Sequence, residues 1–271
     1  MGRTGNPLST RIEQVSKRGP ALVVGLSVLA LLAGGCGSSG GGGSSSSRSA
    51  ASTSASKLAP THGTYSPSIE PANFAATINN RYFPLKPGTG FHFKGVLGTT
   101  PQTDDEIVTH QTKMIVGIKC TVVRDTVSEH GAAIERTFDY YAQDKQGNVW
   151  YMGELSLERK NGRFAKASDS WKSGVNGGQP GIIMPANPQP GDAYRQEYYP
   201  PGQALDEAHV IGTGGRVQVP YGSFKQPLVT SEYSPLEPQT EQKYYVAGLG
   251  EIQERVVKGH HEQFKLVSVT H

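Results

Sequence analysis

The chain has 271 residues, of which 35% are hydrophobic and 18% charged, with 34 glycines and 18 prolines. Its formal net charge of +3 falls to zero when residues 1–35 are set aside, because four of the 26 basic and one of the 23 acidic residues lie there. The remaining 22 basic and 22 acidic residues form no basic run, which argues against nucleic acid as a partner.

The first 36 residues have the layout of an export signal. A polar segment carrying Arg11, Lys17 and Arg18 precedes the apolar run 21–33, which is followed by two glycines and Cys36. A membrane-spanning helix would need about 20 apolar residues, so the shorter run predicts a signal peptide over residues 1–35 that is removed.

The end of this signal, Leu32-Ala33-Gly34-Gly35-Cys36, resembles the lipobox of bacterial lipoproteins. The resemblance implies transfer of a diacylglyceryl group to the Cys36 sulfur, cleavage before Cys36, and a lipid-anchored protein on the outer face of the cell membrane. One departure is Ala33, where the family prefers leucine. The alternative is an ordinary secretory signal with a chance cysteine.

Residues 36–68 are predicted to be the lipidated cysteine and a disordered tether. The stretch is dominated by glycine, serine, alanine and threonine, and is too poor in apolar side chains to offset the entropy lost on folding. As a Gly/Ser coil it would span roughly 30 Å. A merely unselected low-complexity leader would look the same.

Residues 69–271 are long enough for a single domain and show no internal repeat. Alternation with a period of two predicts half-buried strands. In 114–123 one face carries four apolar side chains together with Cys120, which predicts a buried and inert thiol there. With Cys36 lipidated, no disulfide can form within the monomer.

A hairpin is predicted around the turn-forming residues 144–148. The preceding strand places Ile134, Phe138, Tyr140 and Ala142 on one face, and a polar set on the other, which we expect to face solvent. That polar set is Glu135, Thr137, Asp139, Tyr141 and Gln143.

Later runs of the same kind complete the predicted sheet. They lie near 192–199, 204–211, 216–219, 224–233, 242–246, 251–258 and 263–270, and one short helix is predicted over 71–78. About 12 strands joined by short turns should pair antiparallel and curl to protect their edges. We therefore predict a mainly β fold, with one strongly curved antiparallel sheet forming a barrel or half-barrel. A two-sheet sandwich is the alternative.

Five stretches resemble a group of exported proteins and lipoproteins of actinobacteria. They are NRYFPLKPGT at 80–89, YYAQDKQGNVWY at 140–151, QPGIIMP at 179–185, YRQEYY at 194–199 and YYVAGLG at 244–250. The likeness covers nearly the whole domain but implies no activity, because none is assigned to that group. A weaker likeness to curved-sheet lipoproteins that carry lipids across envelopes depends on topology and anchor alone.

No catalytic or metal motif is complete in the sequence. Adjacent His260 and His261 would point to opposite faces of a strand, so we predict no metal site and no cofactor. Carboxylates from distant strands, for instance Glu135, Asp139 and Glu197, are the candidates for a hydrolase site, which requires two of them to face each other across a cleft.

Tyrosine doublets are the most distinctive side-chain pattern of the domain. In a strand, a doublet sends one ring to each face, so one ring of a pair can pack in the core while the other meets a ligand. The predicted ligand-binding residues are Tyr140, Trp150, Tyr198, Tyr199 and Tyr244. The simpler interpretation is that aromatic residues favour strands.

The sequence therefore favours a non-catalytic, membrane-anchored domain that binds or carries a small apolar or amphipathic molecule, such as a lipid. Two alternatives stay open. One is a structural or protein-interaction module of the envelope, and the other is a hydrolase of envelope polymer.

Overall fold

The computed structural model describes residues 54–236 and 238–271. The predicted signal peptide, Cys36 and most of the predicted tether lie outside the described residues. Within the described part of the chain, no helix is long and apolar enough to cross a membrane.

Strands are the main secondary structure of the described chain, which has 18 of them. The first nine are β1 (Ile78–Asn79), β2 (Pro84–Leu85), β3 (Gly90–Leu97), β4 (Thr100–Ile115), β5 (Ile118–Glu129), β6 (Ala132–Gln143), β7 (Val149–Lys160), β8 (Arg163–Lys166) and β9 (Gln179–Met184). The other nine are β10 (Ala193–Arg195), β11 (Glu197–Tyr198), β12 (Glu207–Thr213), β13 (Arg216–Val219), β14 (Gly222–Lys225), β15 (Leu228–Tyr233), β16 (Thr240–Val246), β17 (Gly250–Lys258) and β18 (Glu262–Thr270). One α-helix, α1 (Ala55–Leu58), and two 3-10 turns, Pro71–Asn73 and Pro200–Gly202, accompany them.

One antiparallel sheet curls until its two ends meet. Its strands lie in the order β10-β12-β15-β16-β17-β18-β3-β4-β5-β6-β7-β9-β11, with β8 attached to β7. The first and last strands of this order are successive in sequence, separated by Gln196 alone. The prediction of a strongly curved antiparallel sheet is therefore confirmed.

The predicted helix over 71–78 is wrong. Only Pro71–Asn73 form a 3-10 turn, and Phe74 is already extended. The backbone there bonds to the β6–β7 turn instead of to itself: the Ala75 N–H donates to the Gln143 carbonyl and the Lys145 N–H to the Asn73 carbonyl, both at 2.8 Å. Tertiary hydrogen bonds thus replace the helical ones that the sequence favoured.

The segment 54–68 contacts the sheet, although its composition predicted a tether. Ala55 and Ala59 of the α1 region are buried, and the Arg195 N–H donates to the Ala59 carbonyl at 2.8 Å. The Tyr65 hydroxyl donates to the Pro180 carbonyl at 2.6 Å. The packed part of the chain thus includes residues before 69.

The apolar run 114–123 is divided by a hairpin turn instead of forming one strand. Val116 and Gly117 both have positive φ, 42° and 80°, which gives the two-residue turn that joins β4 to β5. Met114 and Val116 are exposed as a result, whereas Cys120 is fully buried. Burial raises the pKa of the Cys120 thiol to about 12, in agreement with an inert thiol.

The hairpin around 144–148 is present as predicted, with β6 paired to β7. Asp144 organises its turn by accepting hydrogen bonds from the Asn148 N–H at 2.9 Å and the Trp150 indole N–H at 2.9 Å. The next strand pair in this part of the sheet, β7–β9, begins beside the same turn, because Val149 pairs with Met184. Asp144 therefore lies at the edge where β6 and β9 end and β7 begins.

Candidate functional site

The curled sheet encloses a cavity lined by many carboxylates. Counted with the part that opens to solvent, the space is about 1210 Å³. Eleven acidic side chains line it: Asp104, Glu106, Asp125, Asp139, Glu197, Asp206, Glu232, Glu241, Glu251, Glu254 and Glu262. Among the described residues, Lys243 is the one basic side chain in its wall. The cavity is therefore strongly acidic although the domain as a whole is near neutral.

Strand alternation places these acids on the inner face. In β6, the set that we expected to face solvent is the inner set, so Glu135, Thr137, Asp139 and Gln143 are buried and Tyr141 is half-buried. The division of residues between the two faces was thus correct, but the assignment of the polar face to solvent was wrong. A curled sheet has a concave side, and here the polar set covers it.

Lys243 neutralises part of the wall. Its ammonium lies 3.3 Å from Glu232 Oε2 and 3.6 Å from Glu254 Oε2. Burial lowers the pKa of Lys243, but the neighbouring carboxylates outweigh it and raise that pKa well above its ordinary value. Lys243 therefore stays charged at neutral pH and pairs with two of the eleven wall acids.

A second group of acids meets at Tyr151. The Tyr151 hydroxyl lies 2.7 Å from Asp139 Oδ1 and 3.1 Å from Glu154 Oε2. Burial raises the pKa of Asp139 to about 7, against the lowering effect of the hydrogen bond from Tyr151. Burial, followed by the charge of Asp139, raises the pKa of Glu154 well above its usual range. Protons therefore remain on this group at neutral pH.

The seam between the two ends of the sheet carries two polar atoms without partners. Glu197 is fully buried; one of its oxygens accepts a 2.6 Å hydrogen bond from the Trp171 indole, while Oε1 has no partner among the described residues. Beside it, Gln196 is 3% exposed, and its Nε2 also has no partner among them. Both side chains line the cavity. An unsatisfied buried polar atom costs about 1–3 kcal/mol, so such a pair marks a place for a ligand or ordered water.

Three other carboxylates lie close enough together to hold a metal ion. One oxygen from each of Asp104, Glu106 and Asp125 lies within 4.8 Å of the others. Burial, followed by the charge of Asp104, raises the pKa of Asp125 well above its ordinary value. Oxygen ligands of this kind suit Ca²⁺ or Mg²⁺. Asp104 and Glu106 lie two residues apart in β4, and Asp125 comes from the neighbouring β5, so the sequence alone could not show that the three meet.

Aromatic and aliphatic side chains line the rest of the cavity. Tyr141 stacks on Tyr151 with ring centroids 5.0 Å apart, and Phe83 meets Tyr141 edge-on at 5.2 Å. Phe91 and Phe93 of β3 also contribute to the wall. A ligand with an apolar body would therefore find contact surface beside the acids.

None of the five aromatic residues predicted to bind a ligand lines the cavity. Tyr140 and Trp150 are buried in the apolar core, and Tyr199 packs against the small cluster of Tyr151, Trp171 and Ala204. Tyr198 lies beside Tyr65, at 5.4 Å between ring centroids, and below the Arg195 guanidinium at 5.1 Å. Tyr244 lines a separate groove on the outside of the sheet.

For two of the doublets, it is the second tyrosine that reaches the cavity. Tyr141 and Tyr245 line it, whereas Tyr140 and Tyr244 do not. The doublets therefore divide between the two faces as expected, but the sequence did not show which ring faces inward. Of the three carboxylates considered for a hydrolase, Asp139 and Glu197 line the cavity, and Glu135 is buried outside its lining.

Two crystal structures are similar in fold to this chain, both with TM-scores below 0.5. One is of an exported protein with a YmcC-like fold from Bacteroides fragilis, at 13% identity and a TM-score of 0.38, covering 71% of this chain and all of that one. The other is of a lipoprotein from Parabacteroides distasonis, at 10% identity and a TM-score of 0.35, covering 70% of this chain and 99% of that one. No protein-family model and no curated protein matches the chain.

Proposed function

We propose that the protein is a lipid-anchored domain of the cell envelope that binds a small, positively charged organic molecule inside its curled sheet. The observation that carries the proposal is the cavity, with eleven acids and one lysine in its wall. Buried carboxylates are costly unless they are protonated or paired with a cation. A cationic ligand would add positive charge to a wall in which acidic side chains outnumber basic ones eleven to one among the described residues.

Two atoms at the seam support a position for the ligand's charged group. Glu197 Oε1 offers an acceptor and Gln196 Nε2 a donor, and each lies in the cavity wall with no partner among the described residues. An ammonium group donates to the first, and an adjacent oxygen on the ligand accepts from the second. The aromatic wall then contacts the apolar part of the same molecule.

This proposal changes the expected ligand. The sequence favoured an apolar or amphipathic ligand. The aromatic part of the wall still suits an amphipathic ligand, and the acidic part favours one with a positive charge. A neutral lipid would bring no positive charge to Glu197 Oε1, which has no partner among the described residues.

A hydrolase is favoured less by the same geometry. A glycosidase needs one protonated and one ionised carboxyl group. Asp139 and Glu197 both line the cavity, but each has a carboxylate oxygen engaged by a side chain of the fold, Tyr151 for Asp139 and Trp171 for Glu197.

Binding can be tested with three probes of equal chain length. We expect octylamine to stabilise the full chain against heat and to bind in calorimetry at pH 7, and octanol and octanoate to bind at least about tenfold more weakly. Glu197→Gln should weaken the binding of octylamine, whereas Glu70→Gln, at an exposed position, should not. Equal binding of the three probes, or no binding of octylamine, would contradict the proposal.

The anchor is tested separately. Cys36→Ser should release the exported protein from the membrane fraction, because two acyl chains provide its hold. Cys120→Ser, at the buried free cysteine, should leave the protein in that fraction. Retention of the Cys36→Ser variant would exclude lipid anchoring at this position.

A further inference from the structure

A groove on the outer face of the sheet has the opposite charge to the cavity. It lies between the β13–β14 hairpin and the outer face of β16, β17 and β18. Three basic side chains line it, namely Arg216, Arg255 and Lys265, together with four glutamines at 218, 242, 253 and 263. No acidic side chain lines it among the described residues.

The alternation of the strands produces this separation of charge. In β17 the inner face carries Glu254, and the outer face carries Gln253 and Arg255. In β18 Glu262 points inward, whereas Lys265 faces the groove. The same three strands therefore present acids to the cavity and cations with amides to the outside.

The cations of the groove have no carboxylate partner among the described residues. Arg255 donates to Gln242 Oε1 at 3.0 Å and lies 5.4 Å from the centre of the Tyr244 ring. Arg216 donates to the Ser223 hydroxyl at 3.2 Å. These neutral contacts hold the two guanidinium groups in place and leave their positive charge uncompensated.

The next strand adds a further positive charge. Lys265 of β18 stands directly opposite Lys94 of β3 in the strand register. Like charges at directly opposite positions destabilise a sheet. The nearest acid that β4 places on this face, Asp105, is paired with His92 at 2.6 Å. A bound anion would relieve the repulsion between the lysines.

We propose that this groove binds the phosphate group of an anionic ligand. Arg255 and Lys265 supply the charge, and the glutamine amides supply further N–H donors. The site is independent of the cationic ligand proposed for the cavity, since it lies on the other face of the sheet. Two sources share this chemistry, a soluble phosphorylated molecule and the headgroup of a membrane phospholipid.

The first experiment uses pyrophosphate as the probe. Titration of the ¹⁵N-labelled full chain at constant ionic strength should give saturable NMR shifts that include the amides of Gln253, Arg255 and Lys265. The double variant Arg255→Gln/Lys265→Gln should bind at least about tenfold more weakly. The control variant Lys86→Gln/Lys119→Gln removes the same charge at exposed positions outside the groove and should retain the affinity.

A second variant separates loss of the positive charge from loss of the folded structure. Arg255→Lys keeps the charge and should retain more affinity than Arg255→Gln, and unfolding curves should show that both are folded. No saturable shift, shifts that ignore Arg255 and Lys265, or an equal loss in the control variant would overturn the proposal.

The source of the phosphate is decided with vesicles. Sedimentation of the Cys36→Ser chain, which cannot be lipidated at that residue, is compared on phosphatidylglycerol and phosphatidylcholine vesicles. Binding to the first alone, displaced by pyrophosphate, identifies the lipid headgroup. Binding of pyrophosphate without vesicle binding identifies a soluble ligand. Failure of both probes rejects the site, whatever the result with octylamine in the cavity.

Discussion

At the scale of single residues, Tyr151 shows how the acids of the cavity coexist. Its hydroxyl carries one hydrogen, yet it lies within hydrogen-bonding distance of Asp139 at 2.7 Å and Glu154 at 3.1 Å. One hydrogen can be donated to only one of them. The shorter contact is donation to Asp139, and the longer one requires a proton on Glu154 that is donated to the tyrosine oxygen. Three side chains thus share two protons and one negative charge.

The first prediction removes this hydroxyl. Tyr151→Phe should raise the pKa of Asp139 above its present value of about 7, because the hydrogen bond from Tyr151 stabilises the ionised carboxylate. The measurement is a pH titration of the Asp139 carboxyl carbon by ¹³C NMR. Tyr141→Phe is the control, since that ring stacks on Tyr151 but no hydrogen bond joins it to Asp139 among the described contacts. An unchanged or lower pKa in Tyr151→Phe would refute the sharing of protons described above.

At the scale of elements, a hairpin could be predicted from the sequence only where its turn contains residues that are common in turns. The β6–β7 turn carries Asp144, Gly147 and Asn148, which are common turn residues, and it was predicted. The β4–β5 turn was missed because Val116 continues the apolar alternation on either side of it. β-Branched residues such as valine rarely adopt positive φ, so Val116 did not suggest a turn. The alternating pattern therefore predicted one continuous strand.

The second prediction follows from that turn. Val116→Asn should stabilise the protein by roughly 0.5–1 kcal/mol, because asparagine followed by glycine suits a turn with φ positive at both central residues. Val257→Asn provides the matched control: this valine is equally exposed, at 47% against 46%, but lies in β17, where asparagine is disfavoured. Urea unfolding of both variants measures the difference. A loss of stability in Val116→Asn would show that the contacts of the valine outweigh the strain of its backbone.

Alternation also limits what a strand sequence can say about the site. A period of two separates Asp139 and Tyr141 from Tyr140 and Ala142, and the structure keeps that separation. The alternation along one strand does not show which face becomes concave, because the curvature of the sheet depends on all the strands together. For this reason the sequence yielded the curved sheet and the division of each strand, but not the acidic cavity or the groups that gather at Tyr151 and at the seam.

At the scale of the whole molecule, residues 36–271 have a formal net charge of zero, but their charged side chains form two regions of opposite sign. The carboxylates gather inside the sheet, and the cations of the groove lie outside. A low-dielectric wall between them makes the inner field strong, since buried charges are screened less than exposed ones. The cationic ligand and the phosphate proposed above would therefore occupy separate sites and would not compete.

This arrangement sets the dependence of stability on pH, which is the third prediction. Burial raises the pKa of Asp139 to about 7 and that of Glu135 to about 8, against about 3.9 and 4.3 in an unfolded chain. Between these limits the folded state binds more protons than the unfolded state, so the free energy of unfolding falls as pH rises from about 4 and levels off above about 8. We expect a loss of at least about 2 kcal/mol between pH 5 and pH 9, since each pKa unit corresponds to about 1.4 kcal/mol.

Urea unfolding across that range tests the expected slope. The double variant Glu135→Gln/Asp139→Asn carries neither titrating carboxyl and should show a flatter profile, whereas Glu70→Gln, at an exposed position, should keep the slope of the parent. Octylamine should also reduce the loss at high pH, because its ammonium group compensates the carboxylates that ionise. Stability that is constant or rises from pH 5 to pH 9 would mean that the inner carboxylates are already ionised and paired, and would remove the electrostatic reason for a cationic ligand.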